Sequence, residues 1–206
     1  MLHSTAQHST AQHSTAQHST AQHSTAQHAD FCVRILDPED GYDLKLYEMT
    51  QCIDRNENRF NNEPYGMTRE EFIQWCIKQD SWSKGEMLPD GYVKQWTFWL
   101  YVNNNPVGYG RLRERLTEQS KIFGGNIGYG ISKKFRGMGY GTYLFSSLLN
   151  IARELGIETI LSTVERSNYA SRAVNEKLGG IIVKETPEFI FFSFDDVINK
   201  IPSGKE

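Results

Sequence analysis

The chain has 206 residues, is 38% hydrophobic and 12% aromatic, and carries a formal charge of -3. That composition suits one folded domain rather than a disordered chain, and the balanced charge, with no long basic stripe, argues against a nucleic-acid module. No apolar run approaches the ~20 residues of a membrane span, and Cys32, Cys52 and Cys76, widely spaced and without a Cys-x-x-Cys pair, fit buried free thiols in a reducing cytoplasm.

Five exact copies of His-Ser-Thr-Ala-Gln fill residues 3–27 and are closed by His28. Such repetition reads as a purification tag. Residues 1–28 are therefore expected to be disordered, with the domain over 29–195 and a tail over 196–206. All six histidines lie in the repeat. The domain thus lacks the histidine that serine and cysteine nucleophile pairs require, and no metal site is expected. Its chemistry has to use carboxylates, tyrosines, backbone donors, water or a cofactor.

In chain order, residues 31–36 alternate as a first strand, stopped by Asp37-Pro38. Residues 40–53 read as a helix and the Asn-rich stretch 54–66 as a loop. Thr68-Arg-Glu-Glu71 is a capping-box start for a helix carrying Phe72, Trp75, Cys76 and Ile77. After a loop over 84–91, strands over 93–102 and 107–115 flank the turn Asn103-Asn-Asn-Pro106. Residues 117–123 read as a linker.

Asn126-Ile-Gly-Tyr-Gly-Ile-Ser132 reads as a strand whose glycines strip one face, so something is expected to lie close against it. Lys133-Lys-Phe-Arg-Gly-Met-Gly-Tyr-Gly141 then gives a cationic glycine loop entering a helix striped with Leu144, Leu148, Leu149, Ala152 and Leu155. Successive N–H groups at a helix N-terminus favour an anion. Lys133 and Lys134 fit either a solvated turn or phosphate contact. A strand over 159–164, a helix over 168–178 capped by Ser167 or Asn168, and strands over 181–183 and 189–194 complete the chain. The strand-helix-strand unit over 127–164 implies two parallel strands joined by a right-handed crossover. The loop lacks the Gly-Lys-Ser/Thr ending of a Walker motif, and Gly-x-Gly-x-Gly departs from the Rossmann pattern. A phosphate-bearing ligand with an extended arm fits better, against the plainer reading of a structural turn.

Arg136-x-x-Gly139-x-Gly141 after Gly130-Ile131-Ser132, with Asn168-Tyr-Ala-Ser171 and Glu176-Lys-Leu-Gly179 downstream, resembles the coenzyme A signature of the GNAT N-acetyltransferase superfamily. The resemblance covers residues 96–194, and Gly124-Gly-Asn-Ile-Gly-Tyr-Gly130 is similar to a subgroup of small bacterial predicted acetyltransferases. It implies a single α/β domain with a mixed, largely antiparallel sheet, a central splayed parallel strand pair and helices on both faces. It further implies acetyl-CoA as cosubstrate. Arg136, Gly137, Met138, Gly139, Tyr140, Gly141 and Thr142 would hold the pyrophosphate, Ile131 would pair with the pantetheine arm, and Asn168 and Ser171 would contact it, helix capping being the alternative. Gly128 and Gly130 would be bulge or clearance positions.

The implied reaction is direct attack of an amine on the thioester, with the Ile131 N–H on the developing oxyanion. Asn126 stands where the superfamily often carries a glutamate base, so Glu114 and Glu165 are the candidates, beside a water relay with no single base. Asn175 stands at the usual tyrosine acid, leaving Tyr169, Tyr129 or no dedicated acid. Glu63, Glu70, Glu71, Glu86 and Asp90 among Tyr65, Trp75, Trp82, Tyr92 and Trp96 suggest a cationic small-molecule or peptide amine. A monomer or homodimer is expected. The alternative function is a noncatalytic acyl-CoA binder.

Overall fold

The structure is a computed structural model describing residues 29–195; the repeat over 1–28 and the tail over 196–206 lie outside the described residues. β1 (Phe31–Ile35), β2 (Gln95–Val102), β3 (Asn105–Arg113) and β4 (Ile127–Ile131) pair antiparallel in that order, and β5 (Leu161–Glu165), β7 (Phe189–Ser193) and β6 (Ile181–Glu185) form a second antiparallel group in the order β5-β7-β6. The expected splay lies between β4 and β5. They start side by side, where Asn126 N donates to Leu161 O at 2.8 Å and Leu161 N to Asn126 Oδ1 at 2.9 Å. Beyond that seam no ladder joins the two groups among the described residues.

Helices cover both faces because β2 and β3 alternate apolar side chains on both sides, as in a sheet buried twice. On one face α4 (Tyr140–Glu154) packs Leu144, Phe145, Leu148, Leu149 and Ala152 against Leu100, Leu112, Ile127, Ile190 and Phe192. On the other, α1 (Leu44–Gln51) and α2 (Arg69–Lys84) bury Leu46, Met49, Phe72, Trp75 and Cys76 against Trp99 and Tyr109. α5 (Tyr169–Lys177) follows β5 and lies beside α4.

Three local expectations are corrected. The helix expected over 40–53 is split: a 3-10 turn, Pro38–Tyr42, ends at Asp43, whose carboxylate accepts from Lys45 N at 2.8 Å and caps α1. The break follows from Asp40, which is buried and accepts from Arg34 at 2.7 Å, Asp37 N at 2.8 Å and Trp99 Nε1 at 2.8 Å. The linker expected over 117–123 contains α3 (Glu118–Ile122), capped reciprocally by Thr117 and Ser120. Cys32 and Cys52 are exposed, and only Cys76 is buried, its thiol pushed up to about 12 by desolvation.

Asp40 ties the first strand, the 3-10 turn and the core tryptophan to one carboxylate. Asp40→Ala leaves the Trp99 indole N–H and the Arg34 guanidinium without that acceptor, so a stability loss of about 2–4 kcal/mol is expected in denaturant unfolding. A loss under about 0.5 kcal/mol, the scale of an ordinary surface change, would contradict this role.

Candidate active site

Register decides which groups of β4 are free. The bonds Ser132 N to Val107 O and Arg113 N to Asn126 O bracket an antiparallel ladder in which Gly108 faces Ile131, Gly110 faces Tyr129 and Leu112 faces Ile127. Those are the non-hydrogen-bonded pairs, so Gly128 and Gly130 bond to β3, while the N–H and C=O of Tyr129 and Ile131 point toward the gap with β5. Arg136 Nε donates to Ile131 O at 2.9 Å from that open side.

The gap belongs to a cavity of about 770 Å³. It runs from Gly137, Gly139, Tyr140, Gly141 and Thr142, past Tyr129, Ile131, Thr163, Asn168 and Ser171, to Arg111 and Arg113 at the far end of β4. Gly139 sits at the N-cap of α4 with φ +82°, and no side chain caps the helix, so its first N–H groups face this cavity. On the β5 wall, Thr163 Oγ1 is buried without a partner among the described residues.

Of the residues expected to hold a cofactor, the structure gathers Ile131, Arg136, Gly137, Gly139, Tyr140, Gly141, Thr142, Asn168 and Ser171 around one cavity. Met138 belongs to the loop, but its side chain is exposed. Arg136 is tied bidentately to Glu57, at 2.6 and 2.7 Å, and this bonding holds the Glu57 carboxyl below its ordinary value of 4.5. Lys133 pairs with Asp54 at 2.8 Å, so it serves the turn. Asn168 Oδ1 accepts from Ser171 N at 3.1 Å and caps α5.

Ile53 and Phe60 occupy the bare glycine face. A Cβ on Gly130 would come within 2.8 Å of the Phe60 ring and 3.1 Å of Ile53. Gly130 is therefore a clearance position for a protein side chain, whereas a Cβ on Gly128 would only touch Phe60 at an ordinary 3.5 Å, and the β3–β4 register passes both without a bulge.

Neither carboxylate expected to act as base lies in the cavity wall. Glu114 is exposed and absent from the cavity wall, because it follows Arg113, whose side chain turns inward. Glu165 stands at the end of β5 in an ion pair with Arg59 at 2.6 Å, beside the cavity but not in its wall. Asn126 is fully buried and spends its amide on the seam, accepting from Leu161 N and donating to Arg113 O at 3.3 Å. Asn175 is also buried, donating to Ser171 O at 2.8 Å. Tyr169 is 76% exposed, whereas the Tyr129 ring lies between β4 and α4 and its hydroxyl, near Ser171, is raised in pKa by desolvation.

The acidic cluster expected to attract a cation is dispersed. Glu63 lines the cavity but is held by Trp75 Nε1 at 2.9 Å and Lys78 at 2.6 Å. Glu70 and Glu71 border a separate depression on the outer side of α2, which must turn Phe72, Trp75 and Cys76 inward. Glu86 and Asp90 are exposed. Instead, the wall beside β3 carries Arg111 and Arg113, with Trp82, Tyr92 and Phe123.

The Acetyltransferase (GNAT) domain family matches residues 30–181. No curated protein matches the sequence significantly. Among solved structures, a GNAT-family acetyltransferase from Streptococcus pneumoniae aligns with a TM-score of 0.53 at 18% identity, covering 80% of this chain and 98% of its own. RimL, the ribosomal L7/L12 alpha-N-protein acetyltransferase in complex with coenzyme A, aligns at 0.57 and 14% identity, covering 79% and 92%. The microcin C7 self immunity acetyltransferase MccE, in complex with acetyl-CoA and AMP, aligns at 0.59 and 12% identity, covering 79% and 91%. At these identities the likeness is one of fold, while the family match spans most of the described chain. The strand with an open edge, the uncapped glycine turn and the family match agree: the chain belongs to the GNAT acetyltransferases and is an acyltransferase.

Proposed function

We propose that the protein transfers an acetyl group from acetyl-CoA to a primary amine of a small molecule or peptide, both substrates being bound together in the 770 Å³ cavity. The observation carrying this reading is the open edge of β4: the N–H and C=O of Tyr129 and the N–H of Ile131 are offered to an extended arm, which adds to the strand as a further strand would. The same edge ends at the uncapped N-terminus of α4, suited to a pyrophosphate. The unpartnered Thr163 hydroxyl on the opposite wall fits a polar arm between the strands.

Bound acetyl-CoA supplies the activated acyl group. The chain's part is to position and to stabilise charge. Gly137 to Thr142 present N–H groups to the diphosphate, a main-chain N–H on the open edge of β4 is the donor for charge developing on the carbonyl oxygen, and Asn168 borders the thioester end. Tyr129, beside Ser171 within the cavity wall, supplies the proton for the departing sulfur. Glu165 serves as base through water once Arg59 releases it; Glu114 is too exposed for that part.

Arg136 contributes in competition with Glu57. Glu57→Gln frees the guanidinium for the diphosphate, so acetyl-CoA affinity measured by calorimetry is expected to stay equal or rise a few-fold. The linkage has a definite sign. Because Arg136 lowers the Glu57 pKa, the pair stabilises the fold above the ordinary value of 4.5 and loses that contribution as pH falls through the lowered folded-state value. The melting-temperature difference between wild type and Glu57→Gln should therefore be present at pH 7 and vanish in acid; a difference that grows in acid would contradict the pair.

Thiol release from acetyl-CoA, followed over a panel of amines, tests the reaction itself. Release coupled to acetylated amine supports transfer. Tight acetyl-CoA binding with no transfer to any amine would favour a noncatalytic acyl-CoA binder.

A further inference from the structure

The alternation of β3 places Tyr109, Arg111 and Arg113 on the face turned away from α4. There Arg113 stands between Gln95 on β2 and Asn126 beside β4, and Arg111 between Thr97 and Gly128. Both arginines line the cavity, and Arg111 is buried.

Buried cations are ordinarily paired with carboxylates. Neither of these has an ion pair among the described residues. Arg113 donates only one bond to Gly125 O, at 3.0 Å, and Arg111 bonds Asn61 O and lies 5.1 Å from the Phe60 ring centroid. Carbonyls and rings orient a guanidinium without neutralising it. Desolvation, and then repulsion from Arg111, push the Arg113 pKa down to about 10. The carboxylates that share the cavity are committed elsewhere, Glu57 to Arg136 and Glu63 to Lys78 and Trp75.

These arginines are placed too far from the glycine loop to serve the same anion. Asn126, beside Arg113, and Ile131, beside the loop, stand five residues apart, roughly 17 Å along an extended strand. A diphosphate at the α4 N-terminus leaves Arg111 and Arg113 free. They instead flank the part of the cavity beyond the middle of β4, where the acceptor has to enter.

We propose that the acceptor is an amine bearing a carboxylate or phosphate, and that Arg113, assisted by Arg111, binds this anion in forked geometry and turns the amine toward the centre of β4. The assignment rests on the acetyltransferase reading and names its substrate class. The acceptor is thus an amino acid, an acidic peptide end or a phosphorylated amine, and the cationic acceptor suggested by the sequence is disfavoured.

The test compares γ-aminobutyrate, O-phosphoethanolamine, propylamine and putrescine as acceptors for the full chain, by thiol release, with acetyl-CoA affinity measured separately by calorimetry. At least one acid is expected to exceed propylamine and putrescine at least tenfold in kcat/KM, and which acid leads separates carboxylate from phosphate. Arg113→Gln is expected to raise KM for the acids more than tenfold, leave propylamine within twofold, and keep acetyl-CoA affinity within twofold. Arg113→Lys, which keeps the charge but not the fork, should restore part of the preference. Acetyl-CoA binding without preference for either acid, including no transfer to them, or a preference that survives Arg113→Gln, overturns the subsite. Failure to bind acetyl-CoA overturns the acetyltransferase reading itself, a separate result.

Discussion

Gly139→Glu is expected to lower acetyl-CoA affinity at least about 100-fold, nearly 3 kcal/mol, while the fold persists. The backbone there has φ +82°, which costs a residue with a side chain roughly 1–2 kcal/mol, yet an added Cβ meets nothing within 4 Å. A carboxylate at this position faces the positive end of α4. It satisfies the helix N–H groups that no side chain now caps, which offsets the backbone strain, and it occupies the place proposed for the diphosphate with a repelling charge. Calorimetry reads the affinity and a thermal melt reads the fold. A folded variant that binds acetyl-CoA within threefold of wild type would show that the diphosphate is held elsewhere.

The second large effect concerns the seam. Asn126→Ala removes the acceptor of Leu161 N and the donor to Arg113 O from a fully buried position, where the two sheet groups meet and β5 begins to diverge. An unsatisfied buried N–H and the space left by the amide are expected to cost about 2–4 kcal/mol. For a domain of this size that lowers Tm by roughly 2–4 °C per kcal/mol. Acetyl transfer should fall more than stability alone dictates, because the seam fixes the width of the gap. Unchanged unfolding would mean that the Asn126 amide bonds are dispensable, and a stable variant with full activity would show that the seam does not set the gap.

Much of this architecture was legible because its signals are local. Gly128 and Gly130 within an apolar strand, the glycine turn with Arg136, and the striped helix after it each carry their meaning within a few residues. Thr68 with Glu71 capped α2 as expected, since Glu71 supplies the reciprocal acceptor at 2.8 Å. Ser120 does the same for α3 with a hydroxyl in place of the usual Glu or Gln, and that start was missed. The division of the helix expected over 40–53 depends on Arg34 and Trp99 converging on Asp40, contacts that no local pattern announces.

The acceptor side was least legible, for the same reason. The period-two spacing of Tyr109, Arg111 and Arg113 was present in the sequence, but their role depends on which face of β3 is covered and by what. Loop 54–63 settles this by placing Phe60 against Gly130 and Asn61 against Arg111. Glutamates near strand ends looked available as bases, whereas Glu165 is engaged by Arg59 across 106 residues of sequence. Charge pairing over such separations is a property of the folded chain.

Acetyl-CoA is proposed to lie along the open edge of β4. Residue-resolved amide hydrogen exchange with and without acetyl-CoA tests it most directly. The Tyr129 and Ile131 amides, which point into the gap, should exchange markedly more slowly in the complex, while Gly128 and Gly130, already bonded to β3, should change little. Saturating acetyl-CoA that leaves Tyr129 and Ile131 unprotected would contradict the account.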